Sequence, residues 1–84
     1  MQYYVYMLRS LKDNNLYVGI SHNPSIRVTQ HNAGKTSSTK SRRPFVLIYK
    51  ELYPSRIEAR EREKYLKSYA GSKEKMQILE NIGV

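Results

Sequence analysis

The sequence predicts a small α/β domain of the α+β type, with three strands in one sheet and three helices flanking it. Three observations carry that reading. Two runs rich in tyrosine and valine, residues 3–10 and 16–21, stand either side of a polar turn. A continuous apolar run, Phe45-Val46-Leu47-Ile48-Tyr49, follows Pro44. Helix-start signals occur at Asn23-Pro24 and at Ser55-Arg56-Ile57-Glu58.

At 84 residues the chain has room for one core, so residues 1–84 form a single domain. A chain this short hides only about 60–65% of its unfolded surface on folding, so its stability is modest. It has no cysteine, which rules out disulfides and thiolate metal sites and fits a reducing, cytoplasmic setting. No targeting segment and no apolar stretch near the roughly 20 residues of a membrane span is present. The net charge of +8 is the strongest compositional fact. A positive field on so small a domain attracts polyanions, nucleic acid first among them, although charge alone also serves solubility.

The first two strands form a hairpin, because Lys12-Asp13-Asn14-Asn15 between them supplies side chains suited to turns. Tyr6 and Tyr17 stand eleven residues apart and share a face only if positions of opposite parity pair. A two-residue turn at Asp13-Asn14 or Asn14-Asn15 achieves that pairing. Gly19 interrupts the second strand and suits a close approach of backbone or substrate near Tyr17.

Asn23 caps a helix that starts at Pro24, runs to about Asn32 and stops at Gly34. Arg27 and His31, four residues apart, share one of its faces, with Gln30 beside them. From Gly34 to Arg43 nothing is more apolar than a threonine methyl. Lys35, Lys40, Arg42 and Arg43 alternate there with hydroxyls, which reads as a mobile loop. It serves either as a grip on a phosphate backbone or as a solvated connector. The apolar run at 45–49 then completes the sheet.

The capping box at Ser55 starts the long helix, which continues to about Tyr69 and ends at Gly71. Its apolar stripe is Ala59, Leu66, Tyr69 and Ala70, and Glu63 falls inside that stripe. A carboxylate facing a core must be paired with a cation or bound to a metal, and the helix alone leaves both open. Ser72 can cap a last helix, with Met76 and Leu79 packing inward.

Taken together, Tyr4-Val5-Tyr6, Tyr17-Val18-Gly19, Arg27, His31 and the later Glu63 resemble the GIY-YIG endonuclease family. The stretch Arg62-Glu63-Lys64-Tyr65-Leu66-Lys67-Ser68 is similar to its small single-domain bacterial members. The match spans about Tyr3 to Lys75. Tyr4 and Val5 stand where the family name has glycine and isoleucine, and Val18 replaces an isoleucine; no reactive group is lost. The resemblance implies a three-stranded antiparallel sheet and metal-dependent hydrolysis of phosphodiester bonds in nucleic acid, with DNA the expected substrate and RNA left open, in settings such as DNA repair, recombination or mobile elements. It also implies roles: Tyr6 as general base, Tyr17 as a second phenol and Arg27 as the phosphate-stabilising cation. On the same resemblance His31 matches the hydrogen-bonding or proton-relay residue, and Glu63 the single protein ligand of the divalent metal.

The chemistry is reachable from these residues. A phenol titrates near 10, and a cation about 4 Å away at an effective dielectric of about 20 contributes roughly 4 kcal/mol, enough for Arg27 to bring Tyr6 near 7. With no cysteine, and with His22 and His31 the only histidines, the expected cofactor is one Mg²⁺ or Mn²⁺ ion rather than zinc. Two other functions compete with the nuclease: a basic module that binds nucleic acid without turnover, and a domain that binds an acidic protein.

Overall fold

A computed structural model describes residues 2–83 of the chain. Strands β1 (Tyr3–Ser10), β2 (Leu16–Ser21) and β3 (Phe45–Tyr53) form one antiparallel sheet in the order β2-β1-β3. Helices α1 (Pro24–Asn32), α2 (Ser37–Lys40), α3 (Arg56–Lys67) and α4 (Ser72–Asn81) flank it. The sequence suggested three helices; the addition is the single turn α2.

The hairpin holds four residues in its turn rather than two. Ser10 N–H donates to the Asn15 carbonyl (2.9 Å) and Asn14 N–H to the Ser10 carbonyl (2.9 Å). Asn14 takes the left-handed conformation at φ 62°, which asparagine tolerates better than most residues. Four residues keep the parity that two would have set. Tyr6 therefore pairs with Gly19 and Leu8 with Tyr17, and both phenols lie on one face of the sheet.

β1 is the central strand and feeds two cores, because successive side chains point to opposite faces. Val5 and Met7, with Val18 of β2, pack against Ala59 and Leu66 of α3. Tyr6 and Leu8, with Phe45 of β3, form the other cluster, against which Val28 of α1 packs. Residues 5–8 are at most 1% exposed. β3 runs four residues beyond the expected apolar stretch. Between the pairs Met7–Tyr49 and Leu8–Leu47 its register slips by one residue, at Ile48. This bulge puts Ile48 and Tyr49 both on the α3 side, while Leu47 remains under α1.

Side chains fix the helix ends. Asn23 Oδ1 accepts from Ile26 N–H (3.2 Å), Pro24 opens α1, and Gly34 at φ 79° follows it. The Asn32 amide then clamps β3, donating to the Phe45 carbonyl and accepting from Phe45 N–H. Ser55 Oγ accepts from Glu58 N–H at the start of α3 (3.3 Å).

That helix stops at Lys67, two residues short of expectation. Its buried stripe is only Ala59 and Leu66; Tyr69 is 97% exposed and Ala70 is also exposed. Ser72 is the first residue of α4 rather than its cap, and its hydroxyl donates to the Tyr69 carbonyl. Met76 faces solvent, and Ile78 packs on the α3 core in its place. A polar tie closes this side: Glu51 accepts from Tyr49, Tyr53 and Arg62, and Arg62 also pairs with Glu74.

The segment from 34 to 43, expected to be a mobile loop, is pinned. Thr39 of α2 is fully buried, Ser10 Oγ donates to the Arg42 carbonyl (2.6 Å), and Leu11 N–H donates to the Pro44 carbonyl (2.8 Å).

One absent side chain shapes the rest. A Cβ at Gly19 would stand 2.7 Å from Tyr6 Oη, 2.8 Å from Tyr6 Cζ and 3.0 Å from a carbon of the Tyr17 ring. The Tyr6 ring therefore leans across β2 through space that only glycine leaves open. Gly19→Ala should unfold cooperatively with about 1–3 kcal/mol less stability, as overpacked sites do. Urea unfolding measures that loss. The His31 ring signals in a ¹H–¹⁵N spectrum should shift as the phenol is pushed aside, and an unshifted spectrum would refute this packing.

Candidate active site

Tyr6 and His31 are both buried, at 1% and 0% exposure, and their side chains meet across the α1 face of the sheet. The Tyr6 hydroxyl lies 3.1 Å from His31 Nε2, and His31 Nδ1 lies 2.8 Å from Thr39 Oγ1. Thr39 in turn donates to the Thr36 carbonyl (3.3 Å). A carbonyl can only accept, so the direction of every proton in the chain follows. The Thr39 proton points at Thr36, Nδ1–H points at Thr39, and Nε2 carries a lone pair that receives the Tyr6 proton. The imidazole is held in one tautomer, with its basic nitrogen aimed at a phenol.

The electrostatics favour neutral forms of both partners. Burial, joined by Tyr17, pushes the Tyr6 phenol up to about 12, with Glu63 adding to the rise. Arg27 pulls the phenol the other way and does not prevail. The expectation that Arg27 alone acidifies Tyr6 to near 7 is thus overturned: desolvation of the phenolate outweighs one guanidinium. Burial, and after it the Arg27 charge, lowers the His31 imidazole below its ordinary value.

Around this pair stand the other residues singled out from the sequence. The Tyr17 ring packs edge-on against His31 with centroids 4.8 Å apart, and lies 6.3 Å from the Tyr6 ring. Arg27 is half-buried, and Gln30 Oε1 accepts from its Nη1 (2.9 Å). Glu63 comes from α3 on the opposite layer, yet its charge is felt at Tyr6. Its side chain is only 14% exposed and pairs with Lys67, whose Nζ lies 3.0 Å from Oε2. The same ammonium sits 5.8 Å from the centre of the Tyr17 ring, so α3 meets the phenols at the edge strand β2.

Glu63 is thus paired with a cation, Lys67, which is one of the two outcomes its position on α3 left open. Among the described residues no group of three or more histidines, cysteines or acids could hold a metal. An ion held at Glu63 would have to displace Lys67 and complete its shell with water and phosphate oxygens.

The four basic residues of the 34–43 segment divide. Lys35 and Lys40 are exposed. Arg43 is exposed too, although its Nε donates to the Lys40 carbonyl (2.8 Å). Arg42 serves the fold: it pairs with Asp13 at 2.7 Å, holding that carboxyl down at about 2, and its guanidinium covers the Phe45 ring. Thr39 and Lys67 were not picked out from the sequence. A threonine in a Ser/Lys/Thr run carries no mark of burial. Lys67 did carry a signal, since it lies four residues after Glu63 on the same helix.

Comparison with known proteins agrees with this arrangement. The model of the GIY-YIG catalytic domain matches residues 2–77. A UPF0213 protein of Staphylococcus haemolyticus is 41% identical over 80 residues, spanning 94% of this chain and 95% of that protein. A UPF0213 protein of Staphylococcus aureus is 37% identical over 79 residues, spanning 93% and 95%. The solution NMR structure of a UPF0213 protein from Bacillus halodurans superposes with a TM-score of 0.58 at 31% identity, covering 99% of this chain and 88% of that one. With its hairpin phenols, its α1 arginine and histidine, and its α3 glutamate in the expected order, the chain belongs to the GIY-YIG family of nuclease domains.

Proposed function

We propose that this protein is a divalent-metal-dependent endonuclease that hydrolyses phosphodiester bonds in DNA. The observation that carries the reading is the one-way hydrogen-bond chain from Tyr6 through His31 to Thr39, with Arg27 on one side and Glu63 on the other. A structural role alone does not need a buried imidazole whose free lone pair meets a phenol beside a guanidinium.

The reaction is an in-line displacement at phosphorus. The attacking water gives its proton to the Tyr6 oxygen as the Tyr6 proton passes to His31 Nε2, so the phenol acts without existing first as a free phenolate. Arg27 takes up the charge gathering on the phosphoryl oxygens. The P–O bond opposite the attacking oxygen breaks, and the leaving oxygen takes a proton from solvent. Thr39 holds the imidazolium formed, and Tyr17 keeps its ring in place. Glu63 would hold one Mg²⁺ or Mn²⁺ ion, which supplies Lewis-acid polarisation of the phosphate when bound. Lys35, Lys40 and Arg43 would grip the backbone through charge.

Relaxation of supercoiled plasmid in the presence of Mn²⁺ or Mg²⁺ tests this. Tyr6→Phe should lose roughly 10²–10⁴-fold in nicking rate, the usual scale for a general base. Glu63→Gln should lose nicking while retaining DNA in a gel-shift assay. Nicking by Glu63→Gln at the wild-type rate would refute the metal role. Salt-sensitive retention of DNA by the wild type without nicking would favour a non-catalytic binding module.

The pH profile separates the relay from a free phenolate. The active form has a neutral phenol, which persists to about 12, and a neutral imidazole held below its ordinary value by burial. Nicking should therefore be level through and above the ordinary imidazole range and fall only on its acid side. A rate that climbs tenfold per pH unit through pH ~9 would mean the phenolate forms before attack.

Lys67 competes for the carboxylate it pairs with. Lys67→Met should bind Mn²⁺ several-fold more tightly in the free protein, measured by electron paramagnetic resonance, while Lys67→Arg should not. Unchanged affinity in Lys67→Met would place the ion elsewhere.

A further inference from the structure

A cleft of about 320 Å³ is lined in part by Arg27 and Gln30, which are hydrogen-bonded to each other. Its other walls come from four elements: Tyr3 of β1, Ile20 of β2 with His22 just after it, Ile26 of α1 and Arg56 at the start of α3. None of its lining residues is acidic.

The lining has a definite chemistry. Tyr3 and His22 meet edge to face, with centroids 6.1 Å apart and ring planes at 71°, and so form an aromatic corner. Ile26 is 55% exposed, an apolar surface that α1 does not use for its own packing. Arg27 and Arg56, from two different helices, provide positive charge. Gln30 spends its carbonyl oxygen on Arg27, which leaves its amide N–H groups for another acceptor. Aromatic faces, apolar surface, two guanidinium groups and a side-chain amide together suit a planar heterocycle attached to an anion. A nucleotide has that composition. A base inside a duplex already has both faces stacked and offers only its edges, whereas an unpaired base has a face to lay on an aromatic ring.

We infer that this cleft holds one unpaired nucleobase of the strand being cut, next to the phosphate that Arg27 contacts. The inference rests on the nuclease reading and deepens it. The shared Arg27 ties base and scissile phosphate together, so a substrate with an unstacked nucleotide beside the cut seats better than a continuous duplex.

The test is a binding measurement on the full chain carrying Glu63→Gln, which keeps the oligonucleotide intact. Fluorescence anisotropy compares a short single strand with a hairpin duplex of the same length. His22→Ala, at an exposed position, should weaken the single strand roughly tenfold, within the range for one stacked base, and leave the duplex nearly unchanged. Ile26→Asp should do the same by spoiling the apolar wall. Single abasic replacements are then moved along the strand. One position should lose about tenfold with His22 present and little in His22→Ala, since the two changes remove one contact. A flat abasic scan, or equal loss on strand and duplex in both variants, would overturn the inference. The nuclease reading is judged apart, by plasmid nicking with His22 and Glu63 in place. Nicking with a flat scan sinks the cleft alone, whereas a positioned base without nicking sinks only the nuclease.

Discussion

The site depends on a missing side chain. Gly19 lies opposite Tyr6 in the sheet, and the Tyr6 ring fills the volume where any other residue would put a Cβ. That lean carries the hydroxyl away from the crowded centre of β1 and toward the edge strand, where α1 and α3 can both reach it. Glycine weakens a strand by loosening its unfolded backbone and packing nothing, so its use here is a cost accepted for proximity.

The second feature is that the fully buried polar residues around the site are hydrogen-bonded, although Arg9 Nε, also buried, has no partner among the described residues. Ser10, His31 and Thr39 are completely buried, and each is hydrogen-bonded. In a small domain an unsatisfied buried group of this kind would cost about 1–3 kcal/mol, a sizeable share of the total stability. The same bonds that remove this cost orient the imidazole. Stability and chemical direction are therefore supplied by one set of contacts, and the short helix α2 exists to deliver Thr39 to it.

Much of this was legible in the residues. The three strands, the start of α1 at Asn23-Pro24 and the cap at Ser55 follow from local chemistry that tertiary packing does not override. The ordered motifs around Tyr6 and Tyr17, with Arg27, His31 and Glu63 after them, resemble one family, and its domain model matches residues 2–77. What was not legible depends on distance in space. The four-residue turn looked like a two-residue one because both preserve parity. Tyr69 and Met76 fit an apolar stripe by period, but α3 ends early and α4 turns its Ile78 inward instead. Arg42 reads as one more cation in a basic loop until Asp13 and Phe45 are found beside it. The acidity of Tyr6 failed for the same reason, since a charge–charge estimate omits the burial that dominates it.

The central strand has a consequence for how such a domain can change. Alternate residues of β1 supply the two halves of the molecule: Val5 and Met7 anchor the layer that carries Glu63, while Tyr6 and Leu8 anchor the layer that carries His31. A slide of one residue in its pairing would trade those sides outright. An insertion or deletion within the eight residues of β1 would therefore exchange the side chains offered to the two layers.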